Sequence, residues 1–223
     1  MFELYLDSAD IEQIAHFKQI LPLKGITTNP SILAKSRCGV NQLLGELDAV
    51  WPSARIHVQV VSQSVDDIVD EAIKLNSLPY DIVVKIPANP TGLTAIKQLQ
   101  ETDIPLLATA IYTVQQGFMA ALAGADYLAP YVNRIDCSGA NGVETVDKLQ
   151  KLLDRHQLDC KILAASFKSI AQAMSVVEVG VAAITLPLDV AVELLGHPNI
   201  ESSVRQFNAD WVSSFGAIKS YQS

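Results

Sequence analysis

One repeat constrains this chain more than any other feature: a short apolar run followed by a polar stretch, eight times over. The runs are FELYL (2–6), LKGITT (23–28), RIHVQVV (55–61), DIVVKI (81–86), IPLLATAI (104–111), YLAPYV (127–132), KILAAS (161–166) and AAITLP (182–187). Most are short and rich in β-branched residues, which reads as strand. Between them, residues 8–20, 64–76, 89–101, 113–125, 142–156 and 169–180 carry apolar side chains at helical spacing. Ser8 is the cap candidate of the first of these helices, and Ser64 that of the second. Asp66 and Asp67 follow Ser64, where the helix dipole favours anions, and Gly180 ends the last stretch as a helix stop. Eight strands alternating with helices in 223 residues predict a (β/α)8 TIM barrel, a single domain over 1–223. The structural alternative is an open doubly wound sheet. It usually has fewer strands, and no GxGxxG follows the first run. Beyond the eighth unit, Val204, Phe207, Trp211 and Phe215 form one stripe. They predict an extra C-terminal helix over 198–216 that either covers the barrel or docks on a neighbouring subunit.

The balance of charge narrows the partners. Sixteen Lys and Arg against 24 Asp and Glu leave a net charge of −8. That disfavours non-specific binding to nucleic acid or to anionic membranes, but a local cluster of cations still permits a phosphate ligand. Cys38, Cys137 and Cys160 are scattered, with no CxxC, as suits a reducing compartment. His16, His57, His156 and His197 are equally dispersed, so no metal-ligand spacing is present. The first residues lack the basic-then-apolar order of a signal peptide, and no apolar run reaches membrane-spanning length. A cytoplasmic protein is the expectation.

In a barrel of this kind, chemistry gathers where the strands end. Read in order, those ends offer Asp7; Thr27, Thr28 and Asn29; Gln59; Lys85; Thr109; Tyr131 with Asn133, Arg134 and Asp136; Ser166 with Lys168; and Asp189. Each alone has a plain reading. Asp7 reads as a helix cap, Asn29 as a turn residue before Pro30, and Thr109 as an ordinary strand residue. Gln59 reads as a partner for backbone, Tyr131 as core with its hydroxyl at the rim, and Arg134 and Lys168 as solvated charges. His57 has the strand parity of Gln59 and reads as filling a lower layer of the barrel.

Lys85 is harder to place, because it follows Ile82, Val83 and Val84 inside a buried run. A buried ammonium is costly unless it is paired or loses its proton. Two readings stand. One is a snorkelling or ion-paired lysine, with Asp7 as the partner. The other is a desolvated amine that attacks a carbonyl to form a Schiff base, whose iminium draws electrons from the adjacent C–C bond.

The chain resembles the transaldolase family, and within it the fructose-6-phosphate aldolase subfamily. The resemblance rests on LYLDSAD (4–10), GITTNPSIL (25–33), VQV (58–60), DIVVKIP (81–87), ATAIYTVQQ (108–116), APYVNRID (129–136), ILAASFK (162–168) and ITLPLDV (184–190). It implies the same barrel, with Lys85 as the Schiff-base nucleophile and Asp7 as the acid beside it. It implies that Thr27 and Asn29 hydrogen-bond the sugar, that Thr109 and Gln59 hold a catalytic water, and that Arg134, Ser166 and Lys168 bind phosphate. No metal or organic cofactor is expected.

Within this family, transaldolases carry a glutamate on strand three and a phenylalanine on strand six. This chain has Gln59 and Tyr131 there. An amide cannot act as a general acid, whereas a phenol can pass a proton through a water. The expected reaction is therefore the reversible cleavage of fructose 6-phosphate to dihydroxyacetone and glyceraldehyde 3-phosphate. The alternatives are transfer of dihydroxyacetone to erythrose 4-phosphate, as in a transaldolase, and a non-catalytic sugar-phosphate binding barrel. The subfamily also implies a ring-type homo-oligomer such as a decamer.

Overall fold

A computed structural model describes residues 2–222. The terminal residues of the expected 1–223 domain, Met1 and Ser223, lie outside the described residues. Eight parallel strands close into one barrel in sequence order. They are β1 (Glu3–Asp7), β2 (Leu23–Thr27), β3 (Arg55–Gln59), β4 (Ile82–Pro87), β5 (Leu106–Ile111), β6 (Tyr127–Pro130), β7 (Lys161–Ala164) and β8 (Ala183–Pro187). β1 closes the barrel by pairing with β8, Glu3 to Asp7 against Ala183 to Pro187. Each expected run holds a strand, and the strands are shorter than the runs at several ends. Val60 and Val61 fall outside β3, although the Val60 N–H still donates to the Lys85 carbonyl at 3.0 Å.

Strand parity sorts the core into two shells. Outward residues such as Ile82, Val84 and Ile86 pack beneath the helices. Inward residues Tyr5, Val83, Leu107, Tyr127, Ala129, Leu163 and Ala183 fill the lumen. His57 lies in that layer, edge-on to Tyr5 at 4.8 Å and to Tyr127 at 5.6 Å. It is fully buried, and burial holds its imidazole well below the usual histidine range, so the ring is neutral. Beneath this layer a polar plug closes the barrel floor. The Glu3 carboxylate accepts from the Tyr5 hydroxyl at 2.7 Å and the Tyr127 hydroxyl at 3.2 Å, and Arg55 pairs with Asp81.

Close strand packing explains one glycine. At Gly25 on β2, a Cβ would meet the Arg55 carbonyl oxygen of β3 at 1.8 Å. A side chain there would push the two strands apart.

The helices that follow the strands are α1 (Ile11–Ile20), α2 (Pro30–Ser36), α3 (Val40–Val50), α4 (Val65–Asn76), α5 (Pro90–Leu99), α6 (Val114–Leu122), α7 (Val132–Cys137), α8 (Gly142–His156), α9 (Ile170–Glu178) and α10 (Leu188–Leu195). Ser64 caps α4 as expected, through the Asp67 N–H. Ser8 does not cap α1. Asp10 does, accepting from the Gln13 N–H, while Ser8 Oγ accepts from the Asp10 N–H. The helix starts later because the Ser8 backbone is tied to the Thr27 carbonyl across the strand ends. With Asp10 as the cap, Asp7 is left for the barrel mouth. Helices α2, α3, α7 and α10 lie outside the stretches marked helical in the sequence. Asp189 lies in the first turn of α10, where its side chain accepts from the Val190 N–H, rather than at a strand end.

The extra C-terminal helix is α11 (Pro198–Phe215), and none of its residues is buried. Phe207 is 67% exposed, and Ile200, Val204, Val212 and Phe215 are also exposed. Trp211 is half-covered by the chain's own tail, donating to the Ile218 carbonyl at 2.9 Å and stacking on Phe215.

Candidate active site

The strand ends open onto a cavity of about 220 Å³ at the C-terminal mouth of the barrel. Lys85 forms its base. Parity turns it inward one step above Val83, and only 5% of its surface is exposed. Its Nζ donates to the Thr28 carbonyl at 2.6 Å. Burial pushes the amine below its ordinary value, and the Asp7 carboxylate opposes that shift. The Asp7 carboxyl is itself raised by burial, against Lys85, the Thr27 hydroxyl and Arg134. Among the described residues, Asp7 and Lys85 are not in ion-pair contact. The amine is therefore desolvated and singly anchored, not locked in a salt bridge.

A directed chain of hydroxyls orients the acid. Thr27 Oγ1 lies 2.6 Å from Asp7 Oδ1 and 2.7 Å from Thr185 Oγ1. With its one proton on Asp7, Thr27 must accept from Thr185. Thr27 sits inward at the end of β2 and Thr185 inward on β8, so the barrel brings both to β1.

On the opposite wall, the Tyr131 hydroxyl bonds to Thr109 Oγ1 at 2.9 Å. Tyr131 is the residue after β6, bridged to Ala165, and opens α7. Burial raises its phenol, so it stays protonated near neutral pH and is available as a proton donor. The Arg134 guanidinium stacks over the ring at 4.7 Å. Arg134 is exposed and reaches the Tyr112 hydroxyl at 3.5 Å. With Ser166 and Lys168 it makes the outer rim of the cavity cationic.

Eight of the residues expected from the sequence line this cavity: Asp7, Thr27, Asn29, Lys85, Tyr131, Arg134, Ser166 and Lys168. Asn29 also caps α2 by accepting from the Ile32 N–H, so its turn role and its place in the wall coexist. Thr109 stands behind Tyr131 and reaches the cavity only through that hydroxyl. Gln59 is level with Lys85 across the β3–β4 pair, but it lines a separate cavity of about 560 Å³ with Pro87 and Asn89. Asp136 is turned away, accepting from the Gly142 N–H. Asn133, which follows the sixth run, also lines the wall; sequence reasoning missed Thr185 and the apolar floor of Leu107, Ala129 and Leu163. The parity of β8 pointed at Thr185, two residues before Pro187.

The site suits amine chemistry on a polar, anionic substrate of a few carbons. It places a buried amine, a carboxyl and a phenol in one cavity, with cations at the rim. Among the described residues, no group of three or more His, Cys, Asp or Glu could hold a metal ion, and no helix is long and apolar enough to cross a membrane.

The balance at Lys85 gives a prediction. Asp7→Asn removes the charge that holds the ammonium form, so the Lys85 titration midpoint should fall further, as read by NMR of isotope-labelled lysine. An unchanged midpoint would show that the two groups are uncoupled.

Residues 4–219 match the family model described as Transaldolase/Fructose-6-phosphate aldolase.

Proposed function

The chain belongs to the transaldolase/fructose-6-phosphate aldolase family, and we propose that it works as the aldolase. In this reading it cleaves fructose 6-phosphate to dihydroxyacetone and glyceraldehyde 3-phosphate and runs the reverse addition. The observation that carries the reading is the buried Lys85 amine sharing one cavity with Tyr131, whose hydroxyl bonds to Thr109.

The neutral Lys85 amine adds to C2 of the open-chain sugar, and loss of water gives an iminium. Asp7 assists that proton traffic and orients the sugar hydroxyls. The C3–C4 bond then breaks, and its electron pair flows into the iminium to give an enamine. The proton leaving the C4 hydroxyl passes to a water held by Tyr131 and Thr109, and glyceraldehyde 3-phosphate departs. The same relay returns a proton to the enamine carbon, and hydrolysis of the new iminium frees dihydroxyacetone and Lys85. Thr27 and Asn29 bond the sugar. Arg134, Ser166 and Lys168 take the phosphate, a fork of guanidinium donors with a hydroxyl and an ammonium beside it.

Protonation of the enamine separates the aldolase from the transaldolase. With fructose 6-phosphate and no acceptor aldehyde, glyceraldehyde 3-phosphate should accumulate over many turnovers. Tyr131→Phe should slow that release by about 100-fold or more. Release that stops at one equivalent per site would assign the chain to transaldolase chemistry instead.

We also propose that α11 docks on a second copy of this chain within a ring-type homo-oligomer. In support, the helix keeps Ile200, Val204, Phe207 and Phe215 exposed and buries none of its residues against its own barrel. Phe207→Glu should lower the mass measured by light scattering. An unchanged mass would remove α11 from the interface, and a monomeric wild type would remove the interface altogether.

A further inference from the structure

Two of the loops at the barrel mouth share one construction. At the end of β5 and after β7 the chain passes through a non-glycine residue with positive φ, Ala110 at 57° and Ser166 at 64°. Three residues later a hydroxyl caps the following helix, Thr113 for α6 and Ser169 for α9. Three residues after that stands a glutamine, Gln116 or Gln172, whose side-chain oxygen accepts from the N–H just before the cap. Gln116 takes the Tyr112 N–H at 2.9 Å, and Gln172 takes the Lys168 N–H at 3.0 Å.

The two glutamines differ in what their amide nitrogens hold. Gln116 donates to the Ala88 and Ala110 carbonyls, bracing β4 against β5 beside the reacting centre. Gln172 donates to Asp136 Oδ2, while Asp136 Oδ1 accepts from the Gly142 N–H. Asp136 lies two residues beyond Arg134 on α7. Gln172 therefore clips the loop that carries Ser166 and Lys168 to the helix that carries Arg134. The Asn133 N–H, donating to the Ser166 carbonyl at 2.8 Å, spans the same gap. A residue left-handed without being glycine is held against its own preference, so the loop needs such support.

We infer that Gln172 is a positioning residue for phosphate, setting the distance between the Ser166–Lys168 loop and Arg134, with Asp136 as its anchor. The inference rests on the phosphate role given above to Arg134, Ser166 and Lys168. It makes Gln172 a determinant of preference for phosphorylated substrates, touching neither the sugar nor the Schiff base.

The test is addition of dihydroxyacetone to glyceraldehyde 3-phosphate and to unphosphorylated glyceraldehyde, on the full chain. Gln172→Ala should lower kcat/KM for the phosphorylated aldehyde about tenfold, mainly through KM, as loss of one such hydrogen bond implies. It should leave the unphosphorylated aldehyde within about twofold. Gln116→Ala, the same change in the sister loop, should move both aldehydes by one common factor. Polarity can also be exchanged. Gln172→Glu sets two carboxylates against each other, and Asp136→Asn sets two amide nitrogens against each other. The double variant restores a donor on 136, an acceptor on 172 and the original net charge, so it should recover the preference that each single variant loses. Equal losses on both aldehydes for Gln172→Ala would reduce the glutamine to a helix cap and overturn the inference. A wild-type preference that Gln172→Ala leaves intact would overturn the inference alone. A wild type with no preference for the phosphorylated aldehyde would refute the phosphate reading and the inference with it.

Discussion

Everything in this structure turns on the burial of one amine. Lys85 lies in a closed barrel above a layer of tyrosine, histidine and aliphatic side chains, where an ammonium ion is poorly solvated. The fold provides one carbonyl partner, Thr28, and one nearby carboxyl, Asp7, itself raised by burial. Each group moderates the other, and neither is fixed in a contact ion pair. A tight salt bridge would have kept the lysine charged and useless as a nucleophile. A wholly apolar pocket would have left no group to move protons.

The barrel divides stability from chemistry along its axis. At the floor, Glu3, Tyr5, Arg55, Asp81 and Tyr127 form one hydrogen-bonded network, and close packing at Gly25 fixes the spacing of β2 and β3. At the mouth, the polar groups are tied in short chains that end at the cavity: Thr185 to Thr27 to Asp7 on one wall, and Thr109 to Tyr131 on the other. His57 marks the boundary between the two ends. It fills the lower layer that strand parity implied, and is there neutral and packed edge-on between aromatic rings. Its ring nitrogens make no hydrogen bond among the described residues.

The barrel was legible in the sequence because β-branched runs at regular spacing leave few other closed arrangements. Lys85 was legible because a charge inside such a run needs a reason. Boundaries were less so. Val60 and Val61 extend the apolar run past β3, since apolar residues continue where the regular strand stops, and α2, α7 and α10 are too short to display a helical period. Thr185 escaped notice because a threonine in a strand satisfies β-propensity with no further role. Ser8 was mistaken for a cap because the tie from its backbone to Thr27 joins distant parts of the chain. The pairing of Gln172 with Asp136 spans 36 residues and leaves no local pattern. Gln59 has the register of a site residue, yet its side chain lines the neighbouring cavity, and spacing alone does not distinguish those outcomes.

The most direct test of the account is covalent. The protein is incubated with dihydroxyacetone, reduced with borohydride, and digested for peptide mass spectrometry. The account predicts one reduced three-carbon adduct, on the peptide that carries Lys85. An unmodified Lys85 peptide, or an adduct confined to other lysines, would contradict it and return Lys85 to a structural role in the barrel.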